Sequence, residues 1–283
     1  MTGKFSQNIS YLILRLLTYG IVICISYILF DIIRHGLPVI NWDFISTFPR
    51  RSGSEGGILP AIVGTFYLTV GTILVALPLG IGCAIYLAEY AYQNRFSELV
   101  RLAIITLAGV PSIVYGLFGL GLFVIFCRFG TSILAGSLTL ACMVLPIIIV
   151  TSEEALRAVP RGFREASLAL GATKWETIWT NVLPYSISGM ITGSILAIGR
   201  AAGETAPILL TVAAFYLPKM PGSLFDQVMA LPYHLYILAT QHPEAEKVLP
   251  LQYGTALVLL TLVLGMNIGA IVIRIYFRKK YKW

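Results

Sequence analysis

The sequence predicts an all-α integral membrane protein with six transmembrane helices, and three observations carry that expectation. Of the 283 residues, 57% are hydrophobic and only 12% charged. That is about half the charge of an ordinary soluble domain, too little to keep a soluble surface dispersed. Six stretches are apolar enough and long enough to cross a hydrocarbon core of about 30 Å, which takes about 20 helical residues. Basic residues, which give a net charge of +7, gather at the ends of those stretches, most visibly in Arg278-Lys279-Lys280. Such flanks face anionic lipid.

The first stretch runs from Ile9 to Ile33. It is longer than a signal-peptide core and lacks a small-x-small cleavage site, so it reads as a retained span. The others cover Leu59 to Leu87, Leu99 to Cys127, Ser132 to Val150, Tyr185 to Ala214 and Ala256 to Phe277. Pro111, in the middle of the third, removes a backbone hydrogen bond and predicts a kink or a break. Such breaks survive in lipid only where protein or a cavity covers the freed carbonyls.

Orientation follows from Lys and Arg. With both termini cytoplasmic, 13 basic residues lie inside (Lys4, Arg15, Arg95, Arg101, Arg157, Arg161, Arg164, Lys174, Arg274, Arg278, Lys279, Lys280 and Lys282). Six lie outside (Arg34, Arg50, Arg51, Arg128, Lys219 and Lys247), and Arg200 is left within the membrane. The imbalance fits the positive-inside rule. Leu224 to Ala239 is apolar but too short for a span and holds Asp226, Pro232 and His234, so it reads as an external interfacial or re-entrant segment. Residues 1–52 thus form an N-terminal span and an external loop, irregular from Asn41 to Gly57, and residues 53–283 the main membrane domain.

Several functions are excluded. No basic stripe interleaved with aromatics marks a nucleic-acid partner. Four cysteines without CxxC spacing and three scattered histidines indicate no metal site. The spans contain neither a histidine nor paired carboxylates, so an intramembrane enzyme lacks its base or nucleophile. No GxxxxGK[ST] run is present, so the chain binds no nucleotide itself.

Polarity changes abruptly over the inward loop 152–184, which carries Glu153, Glu154, Arg157, Arg161, Arg164, Glu165, Lys174 and Glu176. A loop of that length usually does more than connect two spans. Its pattern predicts two short helices, Gly162 to Leu170 and Thr173 to Asn181. Gly171 makes the left-handed turn between them and Thr173 caps the second. Trp175, Ile178, Trp179 and Val182 give the second helix an apolar face.

This loop resembles the EAA loop of ABC importer permeases, which reads Glu-Ala-Ala, three residues, Gly, nine residues, Ile, one residue, Leu-Pro. Here Glu165, Ala166, Ser167, Gly171, Leu183 and Pro184 stand at the matching intervals. Ser167 replaces the second alanine, and Asn181 stands at the isoleucine position, which predicts one loosened contact. The resemblance implies a type I ABC importer permease (MetI-like) fold. It also implies that the loop's coupling helix docks on a partner ATP-binding subunit, expected as a dimer, which holds the ATP and Mg.

In the fifth stretch, Arg200 and Glu204 are four residues apart, which on a helix places them on one face. Thr211, seven further on, falls on about the same face. An intramembrane charge is costly, so it is normally paired or faces water. Gly189, Gly193, Ala197 and Ala201 form a small-residue stripe that admits a close helix neighbour. Two readings stand for Arg200 and Glu204. They form either a buried pair that fixes helix register, or a site where Arg200 offers its fork to an oxyanion while Glu204 tempers its field. Glu204 could also pair with an arginine of a partner subunit.

Three segments resemble the PstA-type permeases of phosphate ABC importers: Ser54 through Thr65, Pro111 through Gly119, and Arg200-Ala-Ala-Gly-Glu-Thr-Ala-Pro207. The likeness runs from about Gly53 to the C-terminus. It implies a bacterial inner-membrane location and a translocation-path role for Arg200 and Glu204, and Pro111 and Ser112 are read as shaping the pore. It also implies a second, homologous permease chain (PstC type) and an extracytoplasmic phosphate-binding protein. The alternatives that remain are another oxyanion (sulfate, molybdate or phosphonate) and an ion-gradient-driven transporter, in which a docking loop has no purpose.

Overall fold

The computed structural model describes residues 2–92, 94–217 and 219–280. It opens with a 35-residue helix, α1 (Thr2–Gly36). Most of the described apolar side chains of α1, Leu12, Leu16 and Ile23 among them, are exposed. Where α1 meets the body, at its C-terminal end, Gly36 lies against Tyr253 and Leu257. The Tyr253 hydroxyl also donates to Asp31 (3.0 Å).

The segment read as irregular holds some order. Asn41 caps a one-turn helix, α2 (Trp42–Ser46), by accepting from the Phe44 N–H at 2.7 Å. A two-residue antiparallel pair follows, β1 (Pro49–Arg50) and β2 (Glu55–Gly56), joined through Gly53 at φ +89°. Glycine alone takes that angle without strain, which is how Pro/Gly-rich chain still closes a hairpin.

Helix α3 (Leu59–Ile85) continues as a π turn (Tyr86–Tyr90). Its buried residues Ala61, Thr65, Thr69, Thr72, Ala76, Gly80 and Ala84 recur at three and four, a stripe of small side chains that lets another helix come close. The third stretch is not one rod. Helix α4 (Arg95–Ala108) and helix α5 (Ser112–Gly119), the latter extended by a π turn (Leu120–Phe126), meet at 102°. The break anticipated at Pro111 is therefore far sharper than a kink. The Tyr115 hydroxyl crosses it, donating to the Leu107 carbonyl at 2.9 Å.

Helix α6 (Ile133–Ala158) is the most enclosed element, and it corrects the expected end of the fourth span at Val150. Residues Thr151–Ala158 leave the apolar pattern but not the helix, because backbone bonding does not need an apolar neighbour. Helix α7 (Arg161–Ala169) and helix α8 (Lys174–Thr177) follow, close to the two expected short helices. The second is not free-standing, however. A π turn (Ile178–Val182) fuses it to helix α9 (Leu183–Gly203). The fifth span also ends earlier than expected: α9 stops at Gly203, and a separate short helix, α10 (Ala206–Thr211), follows.

Segment 224–239 is not a span, as its composition implied. It is a turn and an isolated bridge at Val228 leading into the ten-residue helix α11 (Leu231–Thr240), which buries Leu231, His234 and Leu238. Helix α12 (Leu249–Lys280) closes the chain. Among the described residues five elements are long and apolar enough to cross a membrane, or six with the bent α4–α5 pair. The core lies among α3, α6, α9 and α10, around Leu140, Met143, Val144, Ala197, Ala201 and Ile208. As the small-residue stripe foretold, α9 lies tight on α6. A side chain on Gly189 would strike Ala155, and one on Gly193 would strike Thr151.

Candidate functional site

Two sites arise from this frame, one at the break after α9 and one at the polar end of the bundle. Arg200 stands in the last turn of α9, where the helix dipole favours a cation. Glu204 is already past the helix end, in extended backbone (φ −76°, ψ 137°), and folds its carboxylate back onto Arg200. The contact runs through Nε alone, at 3.4 Å, between side chains 29% and 19% exposed. Among the described residues neither terminal nitrogen of the guanidinium has a protein partner. What this arrangement offers is an arginine held in place with donors to spare, in a site only partly open to solvent.

The other residues named for this path fall differently. Because the helix breaks at Glu204, the seven-residue spacing does not place Thr211 on the face of the charged pair. Thr211 is fully buried, and its hydroxyl donates to the Pro207 carbonyl (2.8 Å). Pro111 is exposed and Ser112 half-buried at the α4–α5 elbow. That elbow reaches the α9 break by way of its own helix. Gly116 of α5 lies against Pro207 and Ala206. The cavity of about 480 Å³ inside the elbow is lined by Leu107, Val114, Phe118, Leu145 and similar side chains. It is too apolar to serve a hydrated anion.

At the polar end, α7 presents Glu165 and Ala166 to solvent and turns Ser167 inward. Gly171, at φ +85°, makes the left-handed turn. Thr173 then starts α8 with a full capping box. The Glu176 carboxylate accepts from the Thr173 N–H at 2.7 Å, and the Glu176 N–H donates back to the Thr173 hydroxyl. Leu183 and Pro184 follow the π turn directly and begin α9, so the proline sits inside one continuous helical run at its point of irregular bonding. The apolar face expected on the second helix divides. Ile178 and Val182 are buried, whereas Trp175 and Trp179 are about half exposed and pack edge to face at 5.4 Å.

The contact expected to be loosened at Asn181 is replaced. The Asn181 amide donates to the Ser167 hydroxyl oxygen at 3.0 Å, as does the Thr177 hydroxyl. The two departures from the motif thus bond to each other. Sequence reasoning also missed the charge network beneath α7, because Arg164 meets Glu89 across 75 residues and Arg101 meets Glu153 across 52. The one available signal was a lone carboxylate, Glu89, just past an apolar run.

Residues 76–281 match the family model described as binding-protein-dependent transport system inner membrane component. The chain belongs to this family. Among its relatives, a probable ABC transporter permease protein, YqgI, of Bacillus subtilis (strain 168) is 34% identical, covering 95% of this chain and 94% of that one. The phosphate transport system permease protein PstA 1 of Mycobacterium tuberculosis (strain H37Rv) is 39% identical over 77% of this chain and 70% of its own. A probable phosphate transport system permease protein PstA of Methanocaldococcus jannaschii is 34% identical over 92% and 90%. Of solved structures, a bacterial ABC transporter involved in alginate import superposes with a TM-score of 0.64 at 14% identity, over 95% of this chain and 94% of that one. The MetNI methionine ABC transporter gives 0.59 at 18%, over 78% and 94%. At such identities the structures speak for fold alone, and that fold is the MetI-like one of ABC importer permeases. The family's multi-pass membrane permease architecture accounts for the bundle as a whole.

Proposed function

We propose that this member of the family is the permease subunit of an ATP-driven phosphate importer, forming half of the translocation path. The observation that carries the reading is Arg200, anchored by Glu204 at a break within the bundle with its terminal nitrogens unclaimed among the described residues. A planar cationic fork suits a tetrahedral oxyanion, and Glu204 weakens its grip enough for release. Pro111 and Ser112 shape the neighbouring wall through α5. The relatives named for phosphate transport support the cargo.

In this reading α7, with Glu165, Ala166, Ser167 and Gly171, receives the push of an ATP-binding dimer that carries ATP and Mg. Leu183 and Pro184 pass it to α9, and the chain itself hydrolyses nothing. A second permease of PstC type supplies the other half of the path. An extracytoplasmic phosphate-binding protein docks on segments 41–57 and 217–251. The location is the bacterial inner membrane with both termini cytoplasmic; cysteine labelling from either side of the bilayer reads that orientation. In vesicles holding the full complex, Arg200→Ala should assemble normally and lose phosphate uptake. Uptake equal to wild type would remove Arg200 from the path. Competition by sulfate, molybdate or phosphonate as strong as by phosphate would instead assign the chain to another oxyanion.

A further inference from the structure

Arg164 directly precedes Glu165, the first residue of the coupling motif, but is half-buried where Glu165 is exposed. Its guanidinium is consumed entirely by the bundle. Nε and Nη2 both reach Glu89 (3.1 and 2.6 Å to Oε1), Nη1 donates to the Val159 carbonyl (2.7 Å), and Nη2 also donates to the Leu156 carbonyl (2.8 Å). The two carbonyls belong to the C-terminal end of α6, and Glu89 to the π turn that ends α3. The pair is 20% and 8% exposed, tighter and more enclosed than Arg200–Glu204. The same end is held a second time. Arg101 of α4 donates to Glu153 of α6 (2.8 Å) and to the Leu87 carbonyl (2.7 Å), and Arg157 also engages Glu153.

Helix α7 continues from α6 through Val159-Pro160, and its Phe163 packs edge to face on Tyr185 of α9 (4.9 Å); beyond these, two polar attachments of different kinds hold it. Ser167 ties it to the continuous α8–α9 helix through neutral hydrogen bonds. Arg164 ties it to α3 and α6 through a two-pronged ion pair, which fixes direction as well as distance. A single hydrogen bond lets a helix swivel; a fork matched to a carboxylate and braced by two carbonyls does not.

We propose that Glu89 and Arg164 are positioning residues for transport. They lock the coupling helix to α3 and α6, so that a displacement of α7 moves those helices and α9 together. This rests on the reading of α7 as the receiver of the motor's push. With the link cut, the motor would still dock and turn over, but its motion would pass to α3 and α6 less fully than to α9. Glu89 spends its carboxylate on Arg164 within the bundle, so the signature is loss of coupling rather than loss of either activity by itself.

The test uses the whole complex with its binding protein in vesicles, measuring phosphate taken up and ATP hydrolysed in the same sample. Glu89→Gln keeps the shape of the side chain and removes its charge. It should assemble and hydrolyse ATP, while uptake per ATP falls roughly fivefold or more, the low end of inter-site coupling. Glu89→Asp should recover part of the ratio. An unchanged ratio in Glu89→Gln overturns the proposal. If that variant does not assemble, Arg164→Lys, which keeps the charge and loses the fork, should show the same fall, and an unchanged ratio there overturns the proposal as well. Failure of both to assemble would make the pair a folding element only and equally overturn it. A wild-type complex whose ATP hydrolysis drives no uptake would instead fault the underlying assignment of α7 to the motor.

Discussion

The Ser167 hydroxyl oxygen accepts from Thr177 and from Asn181, both at 3.0 Å, in a setting only 7% exposed. Removing that acceptor takes the partner from the buried Thr177 hydroxyl and one of two partners from the half-buried Asn181 amide, which also donates to Thr180, and a buried donor without a partner costs about 1–3 kcal/mol. Ser167→Ala should therefore lower the melting temperature of the purified protein. Asn181→Ile placed on top of it removes the amide that lost a partner and should recover part of the loss. The double-mutant cycle should show a coupling of about 1 kcal/mol, and strict additivity would mean that the two residues do not act as a pair. The Ser–Asn bond thus does polar duty where the motif has an apolar contact, and the geometry of the loop survives the exchange.

Among elements, the seam between α6 and α9 is set by absent side chains. A Cβ on Gly193 would overlap Thr151, and one on Gly189 would sit 2.6 Å from the Ala155 Cβ. Gly193→Val should wedge the helices apart, costing about 1–3 kcal/mol as overpacking does, with a melting shift as the readout. An unaffected melting temperature would mean that α9 lies off α6 in the working protein. This seam was legible in advance from the four-residue spacing of Gly189, Gly193, Ala197 and Ala201, and so were the runs that became α1, α3, α6 and α12. What was not legible lies where hydropathy and hydrogen bonding part company. Helix α6 runs on past Val150 because polar side chains do not interrupt a backbone ladder. Helix α9 stops at Gly203 although apolar residues continue to Leu210. The motif residues Glu165 and Gly171 could be read from local spacing, whereas Arg164–Glu89 is a tertiary fact that no local window contains.

On the scale of the whole molecule, His234 couples stability to pH. It is buried between α11 and Phe215, which stacks on its ring, and its Nδ1 has no partner among the described residues. Burial pushes its pKa down to about 4, while a hydrogen bond to the Phe215 backbone pulls weakly the other way. The folded form therefore holds the ring neutral where an unfolded chain, with the ordinary value of about 6.5, would protonate it. This site thus costs nothing above about pH 6.5, and stability falls as pH drops from there towards 4, by roughly 3 kcal/mol at most. Melting temperatures between pH 7.5 and 4.5 should show that decline, and His234→Asn should flatten part of it. An equally steep decline in the variant would assign the acid sensitivity elsewhere.

The stretch between α9 and α12 has a history as well as a shape. Its backbone partners lie in helices made earlier: the Thr211 carbonyl accepts from Ser132, the Asp226 and Leu224 carbonyls accept from Ile133 and Leu134, and the Leu231 N–H donates to Thr65. No part of it is long enough to enter the bilayer as a helix on its own. During synthesis it must therefore wait outside until α3 and α6 stand side by side and offer those groups. A protease present at that stage would find residues 228–234 open to cutting, and those residues are largely buried once the bundle has assembled.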